Sequence, residues 1–167
     1  MALLYPEFAE AHADWAQYQF QYGPSLLAAP IYSWGKQRLI WFPPGEWIDT
    51  DTGDAFIGPQ VTRVPAPIEK LPLFARSGAV IPMQLDRASD VVTLRLYAGA
   101  EPEASTLTLR DGTRIAFTPD EGGGVVTVNG PSAAYRLETP FLEVATNSVG
   151  TPTTSNADQT TWSLRWR

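Results

Sequence analysis

A chain of 167 residues is long enough for one ordinary domain or two small ones, and 44% hydrophobic against 18% charged residues describes a folded body rather than a disordered one. Twelve basic and 18 acidic residues give a net charge of −6 with no Lys/Arg cluster, which argues against a nucleic-acid partner, and no apolar run reaches the 18 residues of a spanning helix. Having no cysteine and one histidine excludes disulfides, thiolate metal sites, a thiol nucleophile and a two-histidine metal site; His12 reads as an exposed residue, and no cofactor or metal is expected.

The first residues, Met1-Ala2-Leu3-Leu4-Tyr5-Pro6, carry neither the charged nor the long apolar region of an export signal, so no membrane association is expected and the cytoplasm is the favoured compartment. Alanines 9, 11, 13 and 16 predict a helix over Glu7 to Gln21, with Phe8, Trp15 and Tyr18 on one stripe, between Pro6 and Gly23-Pro24. Next, Leu26 to Tyr32 is apolar on both parities, the pattern of a strand buried on both faces as in a parallel sheet.

From Lys36 onward the pattern changes to short half-buried antiparallel strands: Arg38 to Phe42, Glu46 to Asp49, Gln60 to Val64 and Leu73 to Ile81, with turns at Pro43-Pro44-Gly45 and Asp51-Thr52-Gly53. A polar joint at Gln84 to Asp90 leads to a second β set. Its strands are Val92 to Ala98, Thr106 to Leu109, Arg114 to Thr118, Val125 to Val128, Ala134 to Glu138 and Phe141 to Ala145, closed by the alternating Trp162, Leu164 and Trp166. Gly122-Gly123-Gly124 lacks the lysine and following helix of a phosphate cradle and reads as a hairpin loop; Asn147 to Thr161 reads as a long loop or linker. Prolines and glycines spread along the whole chain complete an all-β signature.

Three segments in this order carry a resemblance. They are Phe20-Gln-Tyr22-Gly23-Pro-Ser-Leu26-Leu27-Ala-Ala29-Pro30, then Phe42-Pro43-Pro44-Gly45-Glu46-Trp47-Ile48-Asp49-Thr50-Asp51-Thr52-Gly53, then Leu71-Pro72-Leu73-Phe74-Ala75-Arg76-Ser77-Gly78-Ala79-Val80-Ile81-Pro82. Together they resemble the C-terminal half of glycoside hydrolase family 31, the α-glucosidases and α-xylosidases. The likeness covers Tyr5 to Pro82; farther on, Leu107-Thr-Leu-Arg110-Asp111-Gly112 departs from the acidic pair that the family often has there, and Pro24 replaces an acidic residue.

The resemblance implies an all-β chain of proximal and distal antiparallel β-sandwiches, preceded by a remnant of the last βα elements of a TIM-type barrel. The divisions are residues 1–33 (barrel end), 34–85 (proximal) and 86–167 (distal). It implies no catalytic residue within the chain, because such enzymes carry their carboxylates on earlier barrel strands. The expected role is therefore a non-catalytic accessory region supporting the barrel and the substrate entrance, with Phe20 and Tyr22 at the rim of the sugar pocket. Trp47, Asp49, Gly53, Phe74, Arg76 and Gly78 form the structural motif.

On physical grounds Pro44 and Gly45 reverse the chain and turn Trp47 inward, and Asp49 with Asp51 and Thr52 stabilises a turn ahead of Gly53. Arg76, in an apolar strand, needs a carboxylate such as Asp49 or Glu69, or carbonyls. The alternative expectation is a carbohydrate-binding module that stacks an oligosaccharide on exposed Tyr97, Tyr135 or Trp162. The expected partners are the catalytic barrel, an oligosaccharide, and a second copy through Leu3, Leu4, Phe8, Trp15 and Leu26 to Ile31.

Overall fold

The computed structural model describes residues 1–33, 35–83, 91–130, 134–141, 154–156 and 159–166. They form two units, Met1–Arg76 and Ser77–Arg167. Among the described residues there is no α-helix, and no helix is long and apolar enough to cross a membrane.

The first unit is one antiparallel sheet of β1 (Phe20–Tyr22), β2 (Leu26–Ala28), β3 (Gln37–Asp49), β4 (Ala55–Pro65) and β5 (Leu73–Arg76), in the order β1-β2-β5-β3-β4. Its axis is β3. Pro43 and Pro44 have no N–H for a ladder, and the register against β4 shifts between Phe42 and Gly45, where Gly45 takes φ 109°. The expected reversal at Pro43-Pro44-Gly45 is thus a bulge inside one continuous strand; the chain reverses only after Asp49. The bulge changes side-chain parity: Ile40 and Phe42 before it and Trp47 after it all enter the same core, with Leu27, Ala29, Val64 and Phe74.

The helix expected over Glu7 to Gln21 does not form. Two short 3-10 turns, Ala9–His12 and Asp14–Ala16, are separated by extended Ala13 (φ −66°, ψ 144°), and the segment ends in β1. Tertiary contacts win. Tyr5 and Phe8 set their rings on Trp41 at 5.3 and 5.4 Å, and buried Gln19 pairs with the Trp41 main chain, donating to its carbonyl (2.7 Å) and accepting from its N–H (3.1 Å). Fully burying such a ring is worth about 1.5–3 kcal/mol, and even the partial burial of these two outweighs the tenths of a kcal/mol per residue of helix propensity. Likewise Leu26 to Tyr32 is not a parallel strand: only Leu26–Ala28 is extended in the sheet, antiparallel to β1 and β5.

The second unit has two sheets. One contains β6 (Ala79–Met83), β7 (Val91–Tyr97) and β11 (Ala134–Glu138) in the order β11-β7-β6, with β7 and β11 parallel. The other contains β8 (Ser105–Thr108), β9 (Arg114–Asp120), β10 (Gly123–Asn129), β12 (Thr154–Asn156) and β13 (Gln159–Arg165) in the antiparallel order β12-β13-β10-β9-β8. Both feed one core: Val80, Leu94, Leu96 and Leu137 from the first, Ile115, Phe117, Val126, Val128, Trp162 and Leu164 from the second, with Val92 and Trp166 packed against it. The face read from Val92, Leu94 and Leu96 and the closing Trp162–Leu164 pair therefore lie where their alternation placed them.

Three other expectations are corrected here. Leu73 to Ile81 is not one strand: it breaks at Ser77-Gly78, and its halves join different sheets. Gly122 makes the hairpin turn (φ 76°), but Gly123 and Gly124 are buried β10 residues, and a Cβ on Gly124 would lie 2.5 Å from the Phe117 ring. Thr154–Asn156 and Gln159–Thr161, expected in a loop, are in strands. The joint at Gln84 to Asp90 and residues 142–145 of the strand expected from Phe141 lie outside the described residues.

Candidate functional site

Residues of all three motif segments, Leu27 and Ala29, Phe42 and Trp47, and Phe74, meet in the interior of the first unit. Trp47 is fully buried, and its indole N–H donates to the Pro43 carbonyl at 2.9 Å, closing the bulge that carries it. The Arg76 guanidinium lies 5.6 Å from the Trp47 ring centroid and donates to the Pro44 carbonyl at 3.4 Å. Phe74 meets Phe42 and Phe56 edge-on at 4.9 and 5.6 Å. The Asp49 carboxylate accepts from the N–H groups of Asp51 (2.8 Å) and Thr52 (3.2 Å), while Gly53 (φ 81°) donates to the Asp49 carbonyl at 2.9 Å. That carboxylate is occupied in holding a turn. In the second unit, Gly78 (φ 89°) donates to the Tyr97 carbonyl at 2.7 Å.

Phe20 and Tyr22 stand apart from this interior. They are alternate residues of the edge strand β1, so both project to one side, and they are 48% and 74% exposed. Gln21, between them, donates to the Tyr5 hydroxyl at 2.9 Å. Two aromatics that the sequence placed in a helix stripe and a buried strand are also half-exposed: Tyr18 stacks on Tyr32 at 4.7 Å with 27° between the planes. On the inner side of Tyr32 lies Arg38, its guanidinium carbon 5.0 Å from the ring centroid. Arg38 is only 5% exposed, and burial lowers its pKa from the ordinary guanidinium value, partly opposed by the charge interaction with Tyr32. It escaped the sequence reading because strand position alone does not say whether an arginine ends in water or in protein.

The aromatics proposed for a distal binding face do not form one. Trp162 is buried and Tyr135 packs against the core of the second unit, because their strand parity points inward; Tyr97, on the opposite parity of β7 from Leu94 and Leu96, is buried on the other face, its ring 6.3 Å from that of Phe141. Of the apolar residues expected to seek cover, Leu3 and Leu4 are exposed, Phe8 and Trp15 are half-buried, and Leu27 to Ala29 are buried. Among the described residues no group of three or more His, Cys, Asp or Glu could hold a metal ion.

The sequence profile of the glycosyl hydrolase family 31 C-terminal domain matches residues 1–81. Those residues belong to that family's C-terminal domain. The chain is 36% identical over 87 residues, 52% of its length, to an isomaltosyltransferase of Sporosarcina globispora, and 38% identical over 69 residues, 41% of its length, to a sulfoquinovosidase of Escherichia coli. It spans only 8% and 10% of those two proteins. The fold is similar along 98% of the chain to part of a Flavobacterium johnsoniae family 31 dextranase, solved with glucose: TM-score 0.72, 19% identity, 28% of that protein covered. The family 31 domain thus contains all of the interior built around Trp47 and the whole aromatic edge of β1.

Proposed function

We propose that the chain is a non-catalytic accessory region of a family 31 retaining α-glycosidase. The first unit, Met1–Arg76, supports the end of its barrel, and the second, Ser77–Arg167, is its distal β-sandwich. The reading is carried by the family match over residues 1–81 in a chain that spans about a tenth of its curated relatives. In the barrel-bearing enzyme two carboxyl groups roughly 5 to 5.5 Å apart act as nucleophile and acid/base on an α-glucoside or related α-glycoside. The three aspartates of the β3–β4 turn are employed otherwise: Asp49 holds the turn, Asp51 pairs with Lys70 at 3.0 Å, and Asp54 accepts from the Thr52 hydroxyl at 2.8 Å.

The exposed rings of Phe20 and Tyr22 suit the rim of a sugar pocket, since an aromatic face covers the C–H side of a pyranose while a phenol hydroxyl serves its hydroxyl groups. The isolated chain is expected to give no turnover of aryl α-glucosides; turnover abolished by mutating a carboxylate within it would overturn the proposal. In the barrel-bearing protein, Phe20→Ala and Tyr22→Ala are each expected to lower kcat/KM about 10-fold, equivalent to ~1.4 kcal/mol. Unchanged kinetics in both variants would assign the two rings to packing between barrel and sheet.

A further inference from the structure

Arg38 presents a physical problem that the first unit does not solve. It sits near the start of β3 opposite Val64, and Nε, Nη1 and Nη2 are all buried with no hydrogen-bond partner among the described residues. A buried guanidinium without an anion or carbonyls is among the costliest arrangements a protein tolerates, and aromatic contact alone does not replace five N–H bonds. Arg38 lines a cavity of about 170 Å³ with Ile31, Tyr32, Ser33, Gln37, Leu39 and Arg63. At roughly 30 Å³ per water that is the room of five or six waters, enough for one small oxyanion group.

We propose that this cavity is a carboxylate-binding site, in which the Arg38 guanidinium takes both oxygens of the ligand while Ser33, Gln37 and Arg63 surround it. A single planar monoanion matches the one buried charge and the fork of its donors. Tyr32 is the cover: its ring lies over the guanidinium, is half-exposed, and is held from outside by its stack on Tyr18, so rotation of Tyr32 opens Arg38 to the cavity. The carboxylate has two sources, a free small acid or an acidic side chain of the same longer protein. The second source rests on the accessory-region reading; the site itself does not.

The test titrates the 167-residue chain with sodium acetate at constant ionic strength, balanced with chloride, and follows the thermal midpoint. A saturable rise of about 4 °C at ten times the dissociation constant is expected. Tyr32→Ala should tighten acetate binding, and Arg63→Ser, a change at an exposed position, should weaken it several-fold. Arg38→Met should abolish the response while leaving the acetate-free midpoint unchanged or higher, since it removes an unpaired buried charge.

No response in either the wild type or Tyr32→Ala overturns the proposal, as does an undiminished response in Arg38→Met. Tighter binding of phosphate than acetate at the same ionic strength overturns the carboxylate assignment. In the barrel-bearing protein, loss of the acetate response identifies the occupant as that protein's own side chain, and a retained response identifies a free acid.

Discussion

Gly78→Ala is expected to abolish cooperative folding of the second unit, a loss of at least about 4 kcal/mol. Two independent costs combine. The residue sits at φ 89°, where an L side chain is strained by ~1–2 kcal/mol, and an added Cβ would stand 1.8 Å from the Glu103 carbonyl oxygen, with the Glu103 N and C at 2.8 Å. A main chain cannot yield as a side chain does, and Glu103 N–H is itself tied to the Ser77 carbonyl at 3.1 Å. Gly112→Ala is the control: it has nearly the same φ, 88°, but nothing within 4 Å of an added Cβ, so only the conformational cost should remain. Urea unfolding followed by the buried Trp162 indole reads both. Equal losses in the two variants would refute the contact argument.

The other large effect belongs to the first unit. Trp47→Ala is expected to destabilise it by about 3–5 kcal/mol, the range for emptying a large aromatic site in a packed core. Three connections fail together: the ring's place beside Leu27, Phe42 and Phe74, the indole bond to the Pro43 carbonyl, and the surface over which Arg76 lies. Trp47→Phe keeps most of the packing and loses the hydrogen bond, so a loss nearer 1–2 kcal/mol is expected. Thermal unfolding of both variants decides the matter. An alanine variant within 1 kcal/mol of the wild type would remove Trp47 from its anchoring role.

The fold was legible wherever side-chain alternation met one sheet face. Leu94, Leu96, Trp162 and Leu164 entered the core that their parity assigned, because a two-residue period leaves a strand only two orientations. It was misread wherever a local preference was outweighed by a distant partner. The alanines of the first 21 residues favour a helix by tenths of a kcal/mol each, and they lost to Tyr5, Phe8 and Gln19 closing on Trp41, at least 22 positions farther along. Pro43-Pro44-Gly45 has turn composition, yet it bulges, because β4 continues alongside and Gly58 leaves room opposite: a Cβ there would come within 1.9 Å of the Pro43 carbonyl.

By itself, then, the sequence determined the family of residues 1–81, the β character of the chain and the inward faces of its regular strands, since motif spacing and alternation are local properties of a chain. Only the tertiary structure decided that Trp47 shares a core with Ile40 and Phe42 despite opposite parity, that Phe20 and Tyr22 stand in the open while Tyr97 and Trp162 do not, and that Arg38 is buried behind Tyr32. Burial and the pairing of a charge are set by residues remote in sequence, and a one-residue bulge is enough to turn every side chain beyond it to the other face.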